Sequence, residues 1–297
     1  MTPLPCAAVV TATALSGSGT ATLTSARTEE RAAVVHARTT HGDVVLLASA
    51  GDLLRLGVGS RGEEDAPVRL EVVVEAPLPD LTVPRAQVVL EGWAGLAPPS
   101  LAVAAMDAVC AVGDVSDVFA QWPDARVLHL DPAVVRLHWA EGCTDVPVED
   151  LRAATPDPVT LREGHVLSRV EAELGERLVD LVRFMGHAHP APGGRGAGVA
   201  GRDLGRVNEV RCIGADRSGL VLRCRAERPW EGLGSGCCST GHDGAVCEAT
   251  TTATLRLLFP TPVADADAAV DALALMVLAA AGTAGRCPCA PGGRSAV

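Results

Sequence analysis

The chain has 297 residues, enough for two domains of roughly 100–200 residues each. Hydrophobic residues make up 48% of it, but aromatics only 2%, with no Tyr, so Val, Leu and Ala must fill the core and ring-stacking sites for bases or flavins have little to draw on. A formal net charge of −11 argues against nucleic acid as a partner, because phosphate backbones attract basic surfaces.

Residues 1–27, rich in Ala, Thr and Ser, read as a poorly ordered N-terminus. No basic residue precedes the apolar stretch 7–15 (AAVVTATAL); the first is Arg27, so a secretory signal is not expected. Thr28 is placed to cap a short helix running to about Arg38, with Glu29 and Glu30 in its first turn. Short runs rich in Val and Leu follow, separated by Gly, Pro and Asp. They are Val44–Ala48, Leu53–Val58, Val68–Glu75, Ala86–Trp93, Arg126–Leu130 and Val134–Trp139, with a helix over Leu101–Val109. Such spacing predicts a barrel or sandwich over residues 28–153.

Pro156 and Pro158 bracket Asp157 in the segment ATPDP and mark a boundary. The next segment, Arg162–Met185, carries the clearest helical pattern: Val166, Val170, Leu174, Leu178 and Val182 recur every four residues, widened by Leu167, Leu181 and Met185. Residues 190–205 (PAPGGRGAGVAGRDLG) lack the Lys–Ser/Thr pair of a phosphate-binding loop and read as a flexible connection. Strands are expected at Val207–Ile213, Gly219–Arg225 and Thr254–Phe259, the first two joined as a hairpin through Asp216–Gly219. Residues 226–250 read as an inserted loop. A helix near Asp265–Ala280 completes a second domain, 154–282, and 283–297 read as a flexible tail. That helix is short and interrupted by Asp267 and Asp271, so no membrane span is expected. Ten cysteines in a chain this long read as reduced thiols of a cytoplasmic protein.

Several clusters are candidates for chemistry. Cys237, Cys238, His242 and Cys247, with Cys287 and Cys289 in reach, offer zinc ligands; adjacent cysteines and irregular spacing favour incidental thiols in a variable loop instead. His187 and His189 follow the long helix, where they either complement its negative end or offer two imidazoles to an iron or another metal. His129 and His138 lie in expected strands and read as ordinary surface or core residues. Ser168 has no nucleophile-elbow context, and no catalytic triad or paired-carboxylate site stands out.

Three stretches carry a family resemblance: Arg69–Trp93, containing LEVVVEAPLPDLTVPRAQVVLEGW; Ala133–Val135 with Ala153–Pro158 and Glu163; and Leu255–Val263, LRLLFPTPV. The chain resembles haem-utilisation proteins, with a pyridoxamine-phosphate-oxidase-like, flavin-binding split barrel followed by a small uncharacterised α/β domain. The resemblance implies an α+β fold, a split β-barrel and then a helix–antiparallel strands–helix domain, and a homodimer with FMN or haem as possible cofactors. Related domains carry two histidines five residues apart on the helix that Glu163 opens; this chain has Arg169 and Leu174 in that frame, and neither can ligate iron as an imidazole does. For a flavin phosphate the supply is Ser49, Arg55, Ser60 and Arg61, with Arg55 expected at a solvent-facing strand position. The residues therefore lead to an expectation of no bound cofactor and a non-catalytic, small-ligand-binding or regulatory split-barrel protein. The competing readings are a flavin- or haem-dependent oxidoreductase and a zinc-stabilised interaction protein.

Overall fold

The computed structural model describes residues 6–59, 65–78, 82–112, 116–139, 142–188, 207–226 and 251–284. The chain divides into two compact units between Asp157 and Pro158, inside the proline-bracketed segment.

The first unit is a closed antiparallel barrel. Its strands are β1 (Thr20–Ser25), β2 (Arg31–Arg38), β3 (Val44–Ala48), β4 (Asp65–Glu75), β5 (Pro84–Leu96) and β6 (Arg126–Trp139), in the order β3-β2-β1-β4-β5-β6, closed by pairing of β6 with β3. A short strand β7 (Gly142–Asp145) extends the sheet beyond β6. Side chains alternate between faces with period two. Leu23, Val34, Leu46, Leu70, Val72, Val88, Leu90, Leu128, Val135 and Leu137 therefore meet in one buried, aliphatic interior. Helices α1 (Ala7–Leu15) and α5 (Val148–Ala153) add Ala12, Ala14, Leu15 and Leu151 to that core. Helix α3 (Pro99–Val112) packs on the outside of the barrel: Ala105 and Val109 bury against Ala37, Val45 and Leu47. Two short helices, α2 (Ala50–Leu56) and α4 (Ser116–Gln121), complete the unit.

Four expectations are corrected here. The N-terminus is not poorly ordered from Cys6 onward: α1 is buried from Thr11 to Leu15, and β1 is a central barrel strand. The helix expected from Thr28 to Arg38 is strand β2. Ser25 Oγ accepts from the Arg27 and Thr28 N–H groups and Glu29 takes φ 58°, which turns β1 into β2 and leaves both acids in the turn. The strand expected at Leu53–Val58 is helix α2: Ser49 caps it through Asp52, and Gly57 closes it at φ 74°. The two strands expected at Arg126–Leu130 and Val134–Trp139 are one strand, β6, interrupted by a bulge where Gly92 faces Pro132. A Cβ on Gly92 would lie 2.1 Å from the Asp131 carbonyl oxygen, so only glycine permits this approach.

In the second unit, helix α6 (Glu163–Ala188) follows a single 3-10 turn at Thr160–Arg162. Strands β8 (Val207–Asp216), β9 (Gly219–Ala226) and β10 (Thr251–Leu258) form an antiparallel sheet in the order β10-β9-β8, and helix α7 spans Ala266–Ala284. The four-residue stripe is buried as its period requires, from Val166 through Leu174 to Val182, and α6 packs against β8 and α7. Glu163, buried at the N-terminus of α6, accepts a 2.6 Å hydrogen bond from the Ala215 N–H, and Thr160 Oγ1 donates to the Ala215 carbonyl at 3.1 Å. That pair of bonds fixes the start of the helix to the β8 strand. The fold is α+β: a split barrel followed by a small domain of antiparallel strands and helices.

Candidate functional site

Of the residues proposed for a flavin phosphate, the two described ones, Ser49 and Arg55, are engaged by neighbours within the fold. Ser49 Oγ accepts the Asp52 N–H at 3.1 Å and donates to Asp52 Oδ2 at 2.7 Å, so this hydroxyl is a helix cap. Arg55 sits on the exposed face of α2, not on a strand, and is held between Asp52 and Glu30, the latter at 3.5 Å. A guanidinium already flanked by two carboxylates is a poor receptor for a phosphate. Ser60 and Arg61 lie outside the described residues, as do His189, Cys237, Cys238, His242, Cys247, Cys287 and Cys289. His187 falls in the last turn of α6.

Buried polar groups inside the barrel serve the fold. His36 points inward from β2, and its Nε2 lies 2.9 Å from the Ala14 carbonyl at the end of α1. Burial pushes the His36 pKa down, opposed in part by the Ala14 and Ser18 carbonyls. Arg38 donates from one nitrogen to the Leu151 and Arg152 carbonyls at 2.8 and 2.9 Å, satisfying the C-terminal end of α5. Burial pulls the Arg38 pKa down as well, against the opposing charge of Asp43.

The exposed outer face of α6 is where polar side chains converge. Arg169, at one of the two positions where the family resemblance implies histidine, bonds Glu173 at 2.8 Å and Asp267 of α7 at 2.8 Å. His165, one turn earlier, brings Nε2 to 3.7 Å from the same Asp267 carboxylate. Hydrogen bonding to Glu173, ahead of the attraction to Glu173 and Asp267, raises the Arg169 pKa. Leu174, the other position, is buried core. Sequence reasoning missed His165, although His165, Arg169 and Glu173 stand at intervals of four and so share one helix face. Among the described residues, no group of three or more His, Cys, Asp or Glu could hold a metal ion.

The architecture has a known counterpart. The chain is similar in fold to a haem-binding protein from Mycobacterium smegmatis. That structure shares 21% identity, aligns over 96% of this chain and 100% of its own, and gives a TM-score of 0.53. A protein of unknown function from Agrobacterium tumefaciens aligns over 93% of this chain and 97% of its own, at 18% identity and TM-score 0.38. An FAD- and haem-binding protein from Mycobacterium smegmatis aligns over 48% of this chain and 76% of its own, at 20% identity and TM-score 0.30. No family model matches the chain, and no curated protein matches it.

A flavin needs cations for its phosphate, and Arg55 is already neutralised. An imidazole is one of the side chains that ligate haem iron, and metal-ligating imidazoles characteristically have their second nitrogen paired with a carboxylate or carbonyl. His165 is half-exposed, and its Nε2 lies near Asp267 at 3.7 Å, a little beyond hydrogen-bond length. Among the described residues, no helix is long and apolar enough to cross a membrane.

Proposed function

We propose that this chain is a ligand-binding split-barrel protein whose ligand is haem, held at the outer face of α6 with His165 as iron ligand and Asp267 as its partner. The observation that carries the reading is the end-to-end fold likeness, through both units, to a haem-binding protein. Sequence reasoning led to an expectation of no cofactor, on the ground that Arg169 and Leu174 replace two histidines; His165 supplies an imidazole one turn away on the same face. When bound, haem would supply its iron as an acceptor for the imidazole and for a further ligand. Binding rather than catalysis is favoured because the buried polar side chains described above, His36, Arg38 and Glu163, each serve a backbone group of the fold. The test is a haem titration followed in the Soret band, for wild type, His165→Ala and the His187→Ala, His189→Ala double variant. Saturable binding by wild type, weakened at least tenfold in His165→Ala, is expected. Loss only in the double variant would move the iron ligand to the end of α6. No saturable binding in any of the three would overturn the reading.

A further inference from the structure

The β6–β7 hairpin carries a thiol–imidazole pair that the haem reading does not use. Cys143 and His138 are directly opposed in the antiparallel register of β7 and β6, and both are exposed. Cys143 Sγ lies 3.8 Å from His138 Nε2, within sulfur hydrogen-bond reach. The neighbouring cross-strand pair is Arg136 with Asp145, joined at 3.0 Å on the same face of the hairpin. We propose that Cys143 is a nucleophilic thiol that exchanges with low-molecular-weight disulfides, with His138 accepting its proton.

Two features of the surroundings support this. First, the imidazole is close enough to take the thiol proton, and the thiolate is the form that attacks. Second, the other described cysteines lack this setting. Cys212 and Cys224 are buried, and burial raises the Cys224 thiol to about 11. Cys6 and Cys110 are exposed, but neither has a histidine hydrogen bond among the described residues.

The reaction balances without a further reagent. The Sγ–H proton passes to His138 Nε2, and Sγ attacks one sulfur of the small disulfide. The S–S bond of the reagent breaks as the new one forms, and its second sulfur leaves as a thiolate that takes the proton back from the imidazolium. Cys143 is oxidised to a mixed disulfide, and one half of the reagent is reduced to a thiol.

The experiment uses the full chain, pre-reduced, with limiting iodoacetamide and, separately, glutathione disulfide. Peptide mass spectrometry reads Cys143 and Cys110 in the same molecules. At pH 7 Cys143 is expected to react about tenfold faster than Cys110, the order expected where a neighbouring base raises the thiolate fraction. His138→Ala should bring the two rates together. His138→Gln, which keeps a polar side chain but cannot accept the proton, should do the same, and that separates proton transfer from a structural role. The wild-type rate at Cys143 should also fall less between pH 8 and pH 6 than the rate in either variant. Equal rates at Cys143 and Cys110 in wild type, or a Cys143 rate unchanged in both variants, would overturn the proposal.

Discussion

Leu174 tests whether the four-residue stripe organises the second unit. Its side chain is 6% exposed and lies between the fully buried Val170 and Leu178 on α6. Leu174→Ala removes three buried carbons from a helix that packs against β8 and α7, and large-to-small changes of this kind cost about 2–5 kcal/mol. Leu174→Asp removes the same packing and adds a carboxylate; the stripe around it, Val166, Val170, Leu178 and Val182, is buried and apolar and holds no cation to pair with it. An unpaired polar group at such a position adds about 1–3 kcal/mol. The assay is urea denaturation followed by circular dichroism at 222 nm, with Glu176→Ala on the exposed face as control. The Ala variant should unfold at clearly lower urea than wild type, the Asp variant lower still, and the control within about 0.5 kcal/mol. Because the buried carboxyl would be easier to keep when protonated, the gap between Asp and Ala variants should narrow from pH 7 to pH 5. Equal midpoints for the Asp variant and the control would refute the buried stripe.

Two further outcomes follow from the same physics. Gly175 lies mid-helix in α6 with ordinary backbone angles, and the nearest atoms a Cβ there would meet belong to the Glu171 side chain, at 3.7 Å or more. Gly175→Ala should therefore stabilise the protein by about 0.5–1 kcal/mol in the same urea assay, and destabilisation would show that the helix needs glycine there. His36 has a folded-state pKa below its ordinary value because it is buried. In the window between that lowered value and about 6.5, the unfolded chain holds a proton that the folded chain does not. The contribution of His36 is thus complete above pH 6.5 and is lost as pH falls through the window. Wild type should lose more stability between pH 7 and pH 5.5 than His36→Gln; parallel pH curves would contradict this.

What the sequence disclosed followed from how far each signal reaches along the chain. The strands of the barrel and the stripe of α6 are periodic over many residues, so their patterns stand out from composition alone. Helix α1 hides because its residues are apolar on every side, as a helix taken into a core must be, and no polar face gives it a period. The residues of α2 mislead in the opposite way: Leu53, Arg55 and their neighbours alternate like a strand, and only the Ser49–Asp52 cap and Gly57 betray the helix. Strand β2 misleads through Thr28 and the two acids, which imitate a helix start but are spent on a turn.

The same reach decides which site residues could be seen. Asp267 meets His165 and Arg169 across the α6–α7 packing, about a hundred residues along the chain, and no local pattern encodes that distance. His138 and Cys143 are only five residues apart, yet they form a pair only if the chain reverses between them. Strand β7 is four exposed residues without an apolar alternation, so nothing local announced the reversal. Arg55, by contrast, was conspicuous, with Arg61, as a cation in the barrel segment, but its charge is already answered by Asp52 and Glu30. A residue's type shows what chemistry it can do; whether it is available depends on partners that only the fold supplies. The two pairs to which a function is proposed, His165 with Asp267 and Cys143 with His138, accordingly lie on exposed faces of regular elements, while His36 and Arg38 in the barrel are committed to backbone carbonyls.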